Sequence, residues 1–257
     1  MNSVCGGGGE YDFPRRAFPA SARLATPALF DKFRPNVYNK IMNATFQALL
    51  FDLDGTLTDP FEGITNSIVY ALGKFGIAVN DKRPLTAFIG PPLVQSFSEY
   101  YGFSHNDALK AVEYYREYFA DKGIFENAVY DGVLPMLETL KAHRYRLYIA
   151  TSKPEVFAKR IAAHFGMAEL FDGIAGATLD TTRNEKADVI AYALRTYAVA
   201  ANSALMIGDR RHDILGAKAN GLRSMGVLYG YGSEEELRNA GADMIAKSPQ
   251  EIAEQLL

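Results

Sequence analysis

The sequence contains little cysteine, no long hydrophobic run and no strong excess of charge of either sign. Its single cysteine, at position 5 of 257 residues, excludes an intramolecular disulfide and a zinc cluster built from several cysteines. No apolar stretch approaches the roughly 18 residues that a membrane-spanning helix needs. A net charge of −3 gives no reason to expect a nucleic-acid polymer as a partner. These absences favour a cytoplasmic protein without a nucleic-acid or membrane partner, and they leave open whether it forms a homodimer.

Hydrophobic periodicity is missing from the first 43 residues. Four consecutive glycines at 6–9 and several scattered prolines give no pattern that could dock on a core. We therefore expect residues 1–43 to be a poorly ordered N-terminal extension, and Met42 could itself begin a complete enzyme. No compact apolar segment follows a charged start, so the pattern does not predict a secretory signal.

The segment FQALLFDLDGTLTD, residues 46–59, carries the strongest chemical signal. Ala48 to Phe51 is an apolar run typical of a buried parallel strand. Asp52 and Asp54 follow it, two apart and therefore on the same side, and Gly55 allows a sharp turn. A calcium loop would need its glycine later and a helix before it. Two carboxylates at the carboxyl end of a strand suit a divalent cation, and a nucleophile with a neighbouring acid/base.

A second strand, Leu147 to Ala150, ends at two hydroxyl residues, Thr151 and Ser152. Pro154 and Glu155 then favour a helix that begins there. Hydroxyl groups beside the free N–H groups of a helix N-terminus form a phosphate-binding corner.

A lysine and two further carboxylates follow in order along the chain. Lys186 precedes the helical segment ADVIAYALRTY, and a third strand, Ala204 to Ile207, leads into Asp209 and Asp213, which are four residues apart. A lone lysine or threonine is usually a surface residue. The whole order, Asp-x-Asp, Thr, Lys, Gly-Asp-x-x-x-Asp, is highly specific.

Strand and helix patterns alternate through the rest of the chain, as in an α/β protein. Two helices, one from Ile64 to Phe75 and one over about 106–121, fall between Asp59 and Tyr130 without a clear strand between them. We therefore expect a helical cap at 60–128 and a core formed by 44–59 and 129–257. Five cap tyrosines at helical spacing are expected to pack in its core rather than to contact substrate: Tyr100, Tyr101, Tyr114, Tyr115 and Tyr118.

From about Ala44 to its C-terminus, the chain resembles the haloacid dehalogenase superfamily of hydrolases. The resemblance rests on FDLDGTLTD, on ATSKP with Thr151, on Lys186, and on GDRRHD with Asp209 and Asp213. FIGPPLVQSF and GDRRHDILGAKANGLRSMGVLYGYGSEEEL are most similar to the phosphoglycolate-phosphatase-like branch, which includes 5'-nucleotidases. The resemblance implies a Rossmann-like, doubly wound parallel-sheet core with an inserted all-helical cap.

The residues and this resemblance together predict a Mg²⁺-dependent phosphomonoesterase that works through an aspartyl-phosphate. Asp52 would be the nucleophile, Asp54 the acid and base, and Thr151 and Lys186 would stabilise the phosphoryl group. The predicted metal site consists of the Asp52 carboxylate, the Asp54 main-chain carbonyl, Asp209 and, as indirect support, Asp213. The predicted substrate-binding residues are Gly55, Thr56, Thr151, Ser152, Lys153, Gly90 and Pro91.

Other functions remain open at this point. A phosphotransferase such as a sugar-phosphate mutase would share the chemistry of Asp52 and Asp54. A dehalogenase needs no metal, and a non-catalytic binding protein on this scaffold would lack Asp52 or Lys186, which are both present. Phosphoglycolate and nucleoside monophosphates are the expected substrates, and whether Lys153 and Arg210 contact the substrate is undecided.

Overall fold

A six-stranded parallel sheet organises the part of the chain that the computed structural model describes, residues 46–257. The predictions made for residues 1–43 fall outside this range. In chain order, the elements before the second half of the sheet are β1 (Ala48–Phe51), β2 (Thr58–Asp59), α1 (Phe61–Lys74), α2 (Leu93–Tyr101), α3 (His105–Tyr118), β3 (Ala128–Val129), α4 (Val133–Ala142) and β4 (Arg146–Pro154). They are followed by α5 (Glu155–His164), β5 (Gly173–Ala177), α6 (Lys186–Thr196), β6 (Ala204–Gly208), α7 (Arg211–Ala219), β7 (Arg223–Val227), α8 (Glu234–Ala240), β8 (Met244–Ala246) and α9 (Pro249–Leu256).

The strand order β5-β4-β1-β6-β7-β8 places β1 at the centre of the sheet. Phe51 is in register with Ile149 of β4 on one side and with Ile207 of β6 on the other. The residues that follow these three strands therefore meet at one edge, beside the point where the chain changes direction across the sheet. Ligands bind at this edge in open α/β sheets, and the predicted α/β, Rossmann-like core is confirmed.

Successive side chains of the strands point to opposite faces of the sheet, and those on both faces are buried. Leu50, Tyr148 and Met206 pack on one face against Val189 and Ile190 of α6. Leu49, Phe51, Leu147, Ile149, Leu205 and Ile207 alternate with them and are also fully buried. Burial of both faces explains why these strands are almost continuously apolar in sequence.

Three helices lie between two short antiparallel strands, β2 and β3, and we call residues 60–127 the helical insert. Ile64, Ile68 and Leu72 of α1 are buried, as are Val112 and Tyr115 of α3, because each helix carries an apolar stripe. Helix α3 ends at Tyr118 and continues as one π-helical turn to Gly123, so the helix expected over about 106–121 is regular for a shorter stretch. The sequence did not predict α2.

Local capping agrees with the sequence at the last helix. Ser248 accepts a hydrogen bond from the N–H of Glu251, and the Glu251 carboxylate accepts one from the N–H of Lys247. The cap by Ser248 is the one expected from the Ser-Pro-x-Glu spacing, whereas the Glu251 carboxylate binds the N–H of the residue before the cap. Within the described range, no helix is long and apolar enough to cross a membrane.

Candidate active site

Asp52 and Asp54 lie directly beyond β1, and both are almost completely buried. The N–H of Asp52 donates to the carbonyl of Ile207 at 2.9 Å, which continues the pairing of β1 with β6. The chain then turns at Gly55, where φ is +83°, a region that other residues rarely adopt. The two carboxylates are thereby held at the carboxyl edge of the sheet, as the sequence predicts.

Lys186 is the cation paired with Asp52. Its Nζ lies 2.7 Å from Asp52 Oδ1 and 2.8 Å from Asp213 Oδ1, and it donates to the carbonyl of Ala150 at 3.1 Å. Burial lowers the pKa of Lys186, but Asp213 and Asp52 outweigh burial, and the pKa is raised overall. Lys186 therefore stays charged. The sequence had indicated that Lys186 precedes the helix, but it is the first residue of α6.

A second lysine, Lys153, is paired with Asp54. Its Nζ lies 2.8 Å from Asp54 Oδ2, with both side chains largely buried, and 4.4 Å from the centre of the Phe119 ring of the insert. Burial raises the pKa of Asp54; Lys153 opposes this and Asp52 adds to it, so the pKa is raised overall. Asp54 Oδ1 is buried without a hydrogen-bond partner among the described residues. This carboxyl can therefore hold a proton more readily than an ordinary aspartate.

The pairing of Lys153 could have been inferred from the sequence. It stands two residues after Thr151 on β4, as side chains on the same side of a strand do, and both side chains line the cavity floor although the pairing of β4 becomes irregular after Thr151. Thr151 is buried, and its Oγ1 accepts a hydrogen bond from the N–H of Lys153 at 3.2 Å. The hydroxyl proton of Thr151 thus stays available for a ligand.

Asp209 lies in a close-fitting pocket of backbone beside Asp52. The Tyr231 N–H donates to its Oδ2 at 2.8 Å, and the Thr56 hydroxyl donates to its Oδ1 at 3.4 Å. A Cβ at Gly55 would lie 2.3 Å from Asp209 Oδ2, and one at Gly230 would lie 2.4 Å from Asp209 Cβ, so neither position has room for a side chain.

Three buried carboxylates, those of Asp52, Asp209 and Asp213, form a group that could hold a metal ion. One oxygen of each lies within 4.8 Å of the others. Burial raises the pKa of Asp209 well above its usual range, and Asp213 and Asp52 raise it further. Burial raises the pKa of Asp213 to about 6, although Lys186 opposes this. The donor set is all oxygen, which fits Mg²⁺, and a bound cation would offset the mutual repulsion of three buried carboxylates beside one lysine.

The position of Asp54 differs from that of the three. Its side chain turns to Lys153 rather than to this group. Its predicted share in the metal site, through the main-chain carbonyl, stays a prediction.

A cavity of about 110 Å³ opens between this edge of the sheet and the helical insert. Its floor, which belongs to the core, consists of Asp52, Asp54, Thr151, Ser152 and Lys153. Its roof, which belongs to the insert, consists of Ile64, Phe88, Gly90, Pro91, Pro92, Leu93, Val94, Val112, Tyr115, Arg116 and Phe119. Its rim, again from the core, consists of Pro154, Phe157, Thr178, Thr181 and Asn184.

Of the seven predicted substrate-binding residues, five line the cavity and two lie outside it. Gly90 and Pro91, far from the floor in sequence, line the same space. Gly55 and Thr56 lie on the Asp209 side, outside the cavity wall, so their predicted contact with substrate stays a prediction. Tyr115 was expected to pack only in the core of the insert; it is buried and also lines the roof. Tyr100 is about half exposed rather than packed in that core.

The sequence left Arg210 undecided, and the structure places it outside the cavity wall. Its Nη1 donates to the carbonyl of Ile89 in the insert at 2.7 Å, and its Nε donates to Glu236 at 3.0 Å. The rim loop that carries Thr178, Thr181 and Asn184 was not predicted, because no motif marks it.

Comparison with known proteins agrees with this geometry. A family model described as haloacid dehalogenase-like hydrolase matches residues 49–227. A 5'-nucleotidase of Pseudomonas aeruginosa is 52% identical over 190 residues, which cover 74% of this chain and 86% of that protein. The tyrosine-protein kinase PtkA of Mycobacterium tuberculosis is 40% identical over 187 residues, which cover 72% of this chain and 63% of that protein.

A solved structure shows the same fold. The crystal structure of a protein from Clostridium acetobutylicum, described as a predicted phosphatase, matches with a TM-score of 0.80 and 50% identity. The match covers 82% of this chain and 98% of that one. The chain therefore belongs to the haloacid dehalogenase-like hydrolase family, and it is a phosphatase of that family.

Proposed function

We propose that the protein is a Mg²⁺-dependent phosphomonoesterase that hydrolyses a small phosphorylated metabolite through an aspartyl-phosphate on Asp52. The observation that carries this proposal is the pair of carboxylates on one cavity floor, each bound to its own lysine: Asp52 to Lys186 and Asp54 to Lys153. Asp52, a carboxylate whose charge is balanced by Lys186, supplies a nucleophile, and Asp54, a carboxyl of raised pKa, supplies an acid in the same place. The lone cysteine and the absence of a membrane-spanning helix among the described residues support a cytoplasmic enzyme.

In the first half-reaction, the Asp52 carboxylate attacks phosphorus while Asp54 gives its proton to the leaving oxygen. Lys186 holds Asp52 in position at 2.7 Å, and the Thr151 hydroxyl is free to donate to a phosphoryl oxygen. A Mg²⁺ ion held by Asp52, Asp209 and Asp213 would withdraw charge from the phosphoryl oxygens. The products are the alcohol and an acyl phosphate on Asp52.

In the second half-reaction, Asp54 acts as the base. Having lost its proton, it takes one from water, which attacks the phosphorus of the aspartyl-phosphate and restores the Asp52 carboxylate. Lys153 lies 2.8 Å from Asp54 and stabilises the charged form needed for this step.

The roof favours a substrate with a partly apolar leaving group. Phe88, Tyr115 and Phe119 line it, and aromatic side chains suit a planar base or the face of a sugar. This supports a nucleoside 5'-monophosphate, in keeping with the 52% identical 5'-nucleotidase, ahead of phosphoglycolate. Phosphoglycolate would place a second anion in this mostly apolar space, where Arg116 is the cationic residue of the roof.

A phosphotransferase, such as a sugar-phosphate mutase, is the second candidate. It would form the same aspartyl-phosphate and transfer the phosphoryl group to the hydroxyl group of a second substrate instead of to water. The similarity to a protein described as a tyrosine-protein kinase is the observation that favours it.

Phosphate release from a panel of substrates tests the proposal. The panel contains nucleoside 5'-monophosphates, phosphoglycolate, hexose phosphates and p-nitrophenyl phosphate, each with Mg²⁺ or with EDTA, and Asp52→Asn is the control. We expect Mg²⁺-dependent release that is greatest with a mononucleotide. Transfer to an added alcohol or tyrosine peptide in place of free phosphate would favour the phosphotransferase, and equal release with EDTA would exclude the metal dependence.

A further inference from the structure

Among residues 46–257, three arginines make hydrogen bonds across the seam between the core and the helical insert. Arg210 donates to the carbonyl of Ile89, Arg160 to that of Ala120, and Arg116 to that of Leu179, at 2.7, 2.9 and 3.2 Å. Each acceptor is a main-chain carbonyl, so each bond fixes the position of a backbone segment rather than of a side chain. The three bonds differ in the groups that hold each arginine and in the backbone segment that accepts the bond.

Arg210 is the seam arginine that belongs to the catalytic edge. It follows Asp209 directly, and its own N–H donates to Asp213 Oδ2 at 3.0 Å. Its guanidinium is held by Glu236, which also accepts the N–H of Arg211 at 2.9 Å. With the backbone and the Nε edge of Arg210 held in this way, its Nη1 is directed toward the carbonyl of Ile89.

The segment that receives this bond is a loop of the roof with two consecutive prolines. Ile89 is fully buried, Gly90 has a φ of +103°, and two prolines follow it. A Cβ at Gly90 would lie 3.1 Å from Arg210 Cγ, so the loop backbone lies directly against the arginine. Gly90, Pro91 and Pro92 all line the cavity. The place of this loop over the floor therefore depends on Arg210.

We propose that Arg210 is a positioning residue that sets residues 89–92 over the phosphate site and thereby determines which leaving groups the cavity accepts. It acts through the loop and does not contact the substrate. The proposal rests on the phosphatase function above, because it concerns the leaving group of that reaction. Arg160, whose bond reaches the π-helical turn instead of this loop, provides a matched control.

The test compares Arg210→Ala, Arg210→Lys and Arg160→Ala with the wild type. Each is assayed at saturating Mg²⁺ with adenosine 5'-monophosphate and with p-nitrophenyl phosphate. Removal of one charge-assisted hydrogen bond should lower kcat/KM for the mononucleotide about tenfold, mainly through KM, and change the aryl phosphate less than about threefold. A lysine cannot donate from two separate nitrogens to Glu236 and Ile89, so Arg210→Lys should behave as Arg210→Ala does. Arg160→Ala, which removes the seam bond to the turn that carries Phe119, should change this ratio less than Arg210→Ala does.

Amide hydrogen exchange gives a second readout that needs no turnover. Residues 86–94 should exchange faster in both Arg210 variants and at the wild-type rate in Arg160→Ala. Equal loss with both substrates, a changed Mg²⁺ requirement, or unchanged exchange in this loop would overturn the proposal, as would the same effects in Arg160→Ala. A wild type that releases no phosphate from either compound would count against the proposed function instead, and the exchange experiment would still decide the role of Arg210.

Discussion

The floor and the roof of the cavity come from different parts of the chain and are built from different chemistry. The floor is charged and almost fully buried, and its groups are already in contact: Asp52 with Lys186 and Asp54 with Lys153. The roof is mostly apolar and aromatic, and it is carried by an insert between two short strands. A phosphoryl group is the same in every phosphomonoester, whereas leaving groups differ. We therefore infer that the floor sets the reaction and the roof sets its substrate, and substitutions on each side can test this division.

The largest effect is expected at the nucleophile. Asp52→Asn should lower turnover by about 10⁴-fold or more with every substrate, since an amide cannot form the acyl phosphate. Circular dichroism should be unchanged, because the substitution removes one charge from a crowded group of carboxylates. Phosphate release is the measurement, and more than about a tenth of wild-type activity would contradict the assignment.

Asp54→Asn should have the next largest effect, about 10²-fold to 10⁴-fold, because it removes the acid of one half-reaction and the base of the other. p-Nitrophenolate is a good leaving group and needs little help from an acid. The variant should therefore release it in a burst and then stall as the aspartyl-phosphate. Rapid-quench kinetics would detect the burst. Full activity with an alkyl phosphate would rule out the role of Asp54.

Removal of Mg²⁺ should show how much the crowding of the buried carboxylates lowers the free energy of unfolding. Burial raises the pKa of Asp209, and raises that of Asp213 to about 6, while an unfolded aspartate titrates near 3.9. The metal-free folded state then holds more protons than the unfolded chain, so its stability falls as pH rises from about 4 through about 6. Bound Mg²⁺ opposes this loss only where the carboxylates are ionised.

The stabilisation by Mg²⁺ should accordingly be small at pH 5 and reach about 2–3 kcal/mol at pH 7.5, with the metal at about a hundred times its Kd. Thermal unfolding with Mg²⁺ or EDTA at the two pH values measures it. Asp209→Asn is the control and should show almost no response to the metal. An equal response in that variant would place the ion elsewhere.

The smallest effect, and the one specific to the roof, is expected at the two prolines. Replacement of Pro91 and Pro92 by alanine loosens the backbone without removing a polar contact, so we expect a change of about threefold in the ratio of kcat/KM values between a mononucleotide and p-nitrophenyl phosphate. Asp54→Asn should also change this ratio, but for a different reason: the two leaving groups differ in pKa and therefore in their need for an acid, whereas the loop responds to their shape. Equal loss with both substrates would make the loop a general lid.

The same division decided what could be predicted from the sequence. The catalytic edge was predictable because Asp52 and Asp209 directly follow apolar strands and Thr151 lies near the end of one, and parallel strands bring such ends together whatever the loops do. The Lys153–Asp54 pair was also within reach, because Lys153 stands two residues after Thr151 on β4.

The roof was less predictable, for physical reasons. Helix α2 is nine residues long, follows two prolines and buries only Ser96 and Phe97, so its apolar stripe is too short to identify. The bond from Arg210 to Ile89 joins residues 121 apart, and no local pattern marks such a contact. Tyr115 shows a further limit, because a buried stripe on a helix can pack in a core and line a cavity at once.

The backbone that encloses Asp209 has a consequence for how substitutions are tolerated. Gly55 and Gly230 carry no chemical group, yet a methyl at either position would overlap Asp209 itself, and at Gly230 also the carbonyl of Gly55. In a saturation library scored by phosphate release, both positions should be as intolerant of change as the aspartates are. Their intolerance would have a different origin: the variants would remain folded and lose Mg²⁺ affinity. A map of mutational sensitivity alone would thus place among the catalytic groups two residues that contribute empty space and, at Gly55, a turn of the backbone, but no reacting atom.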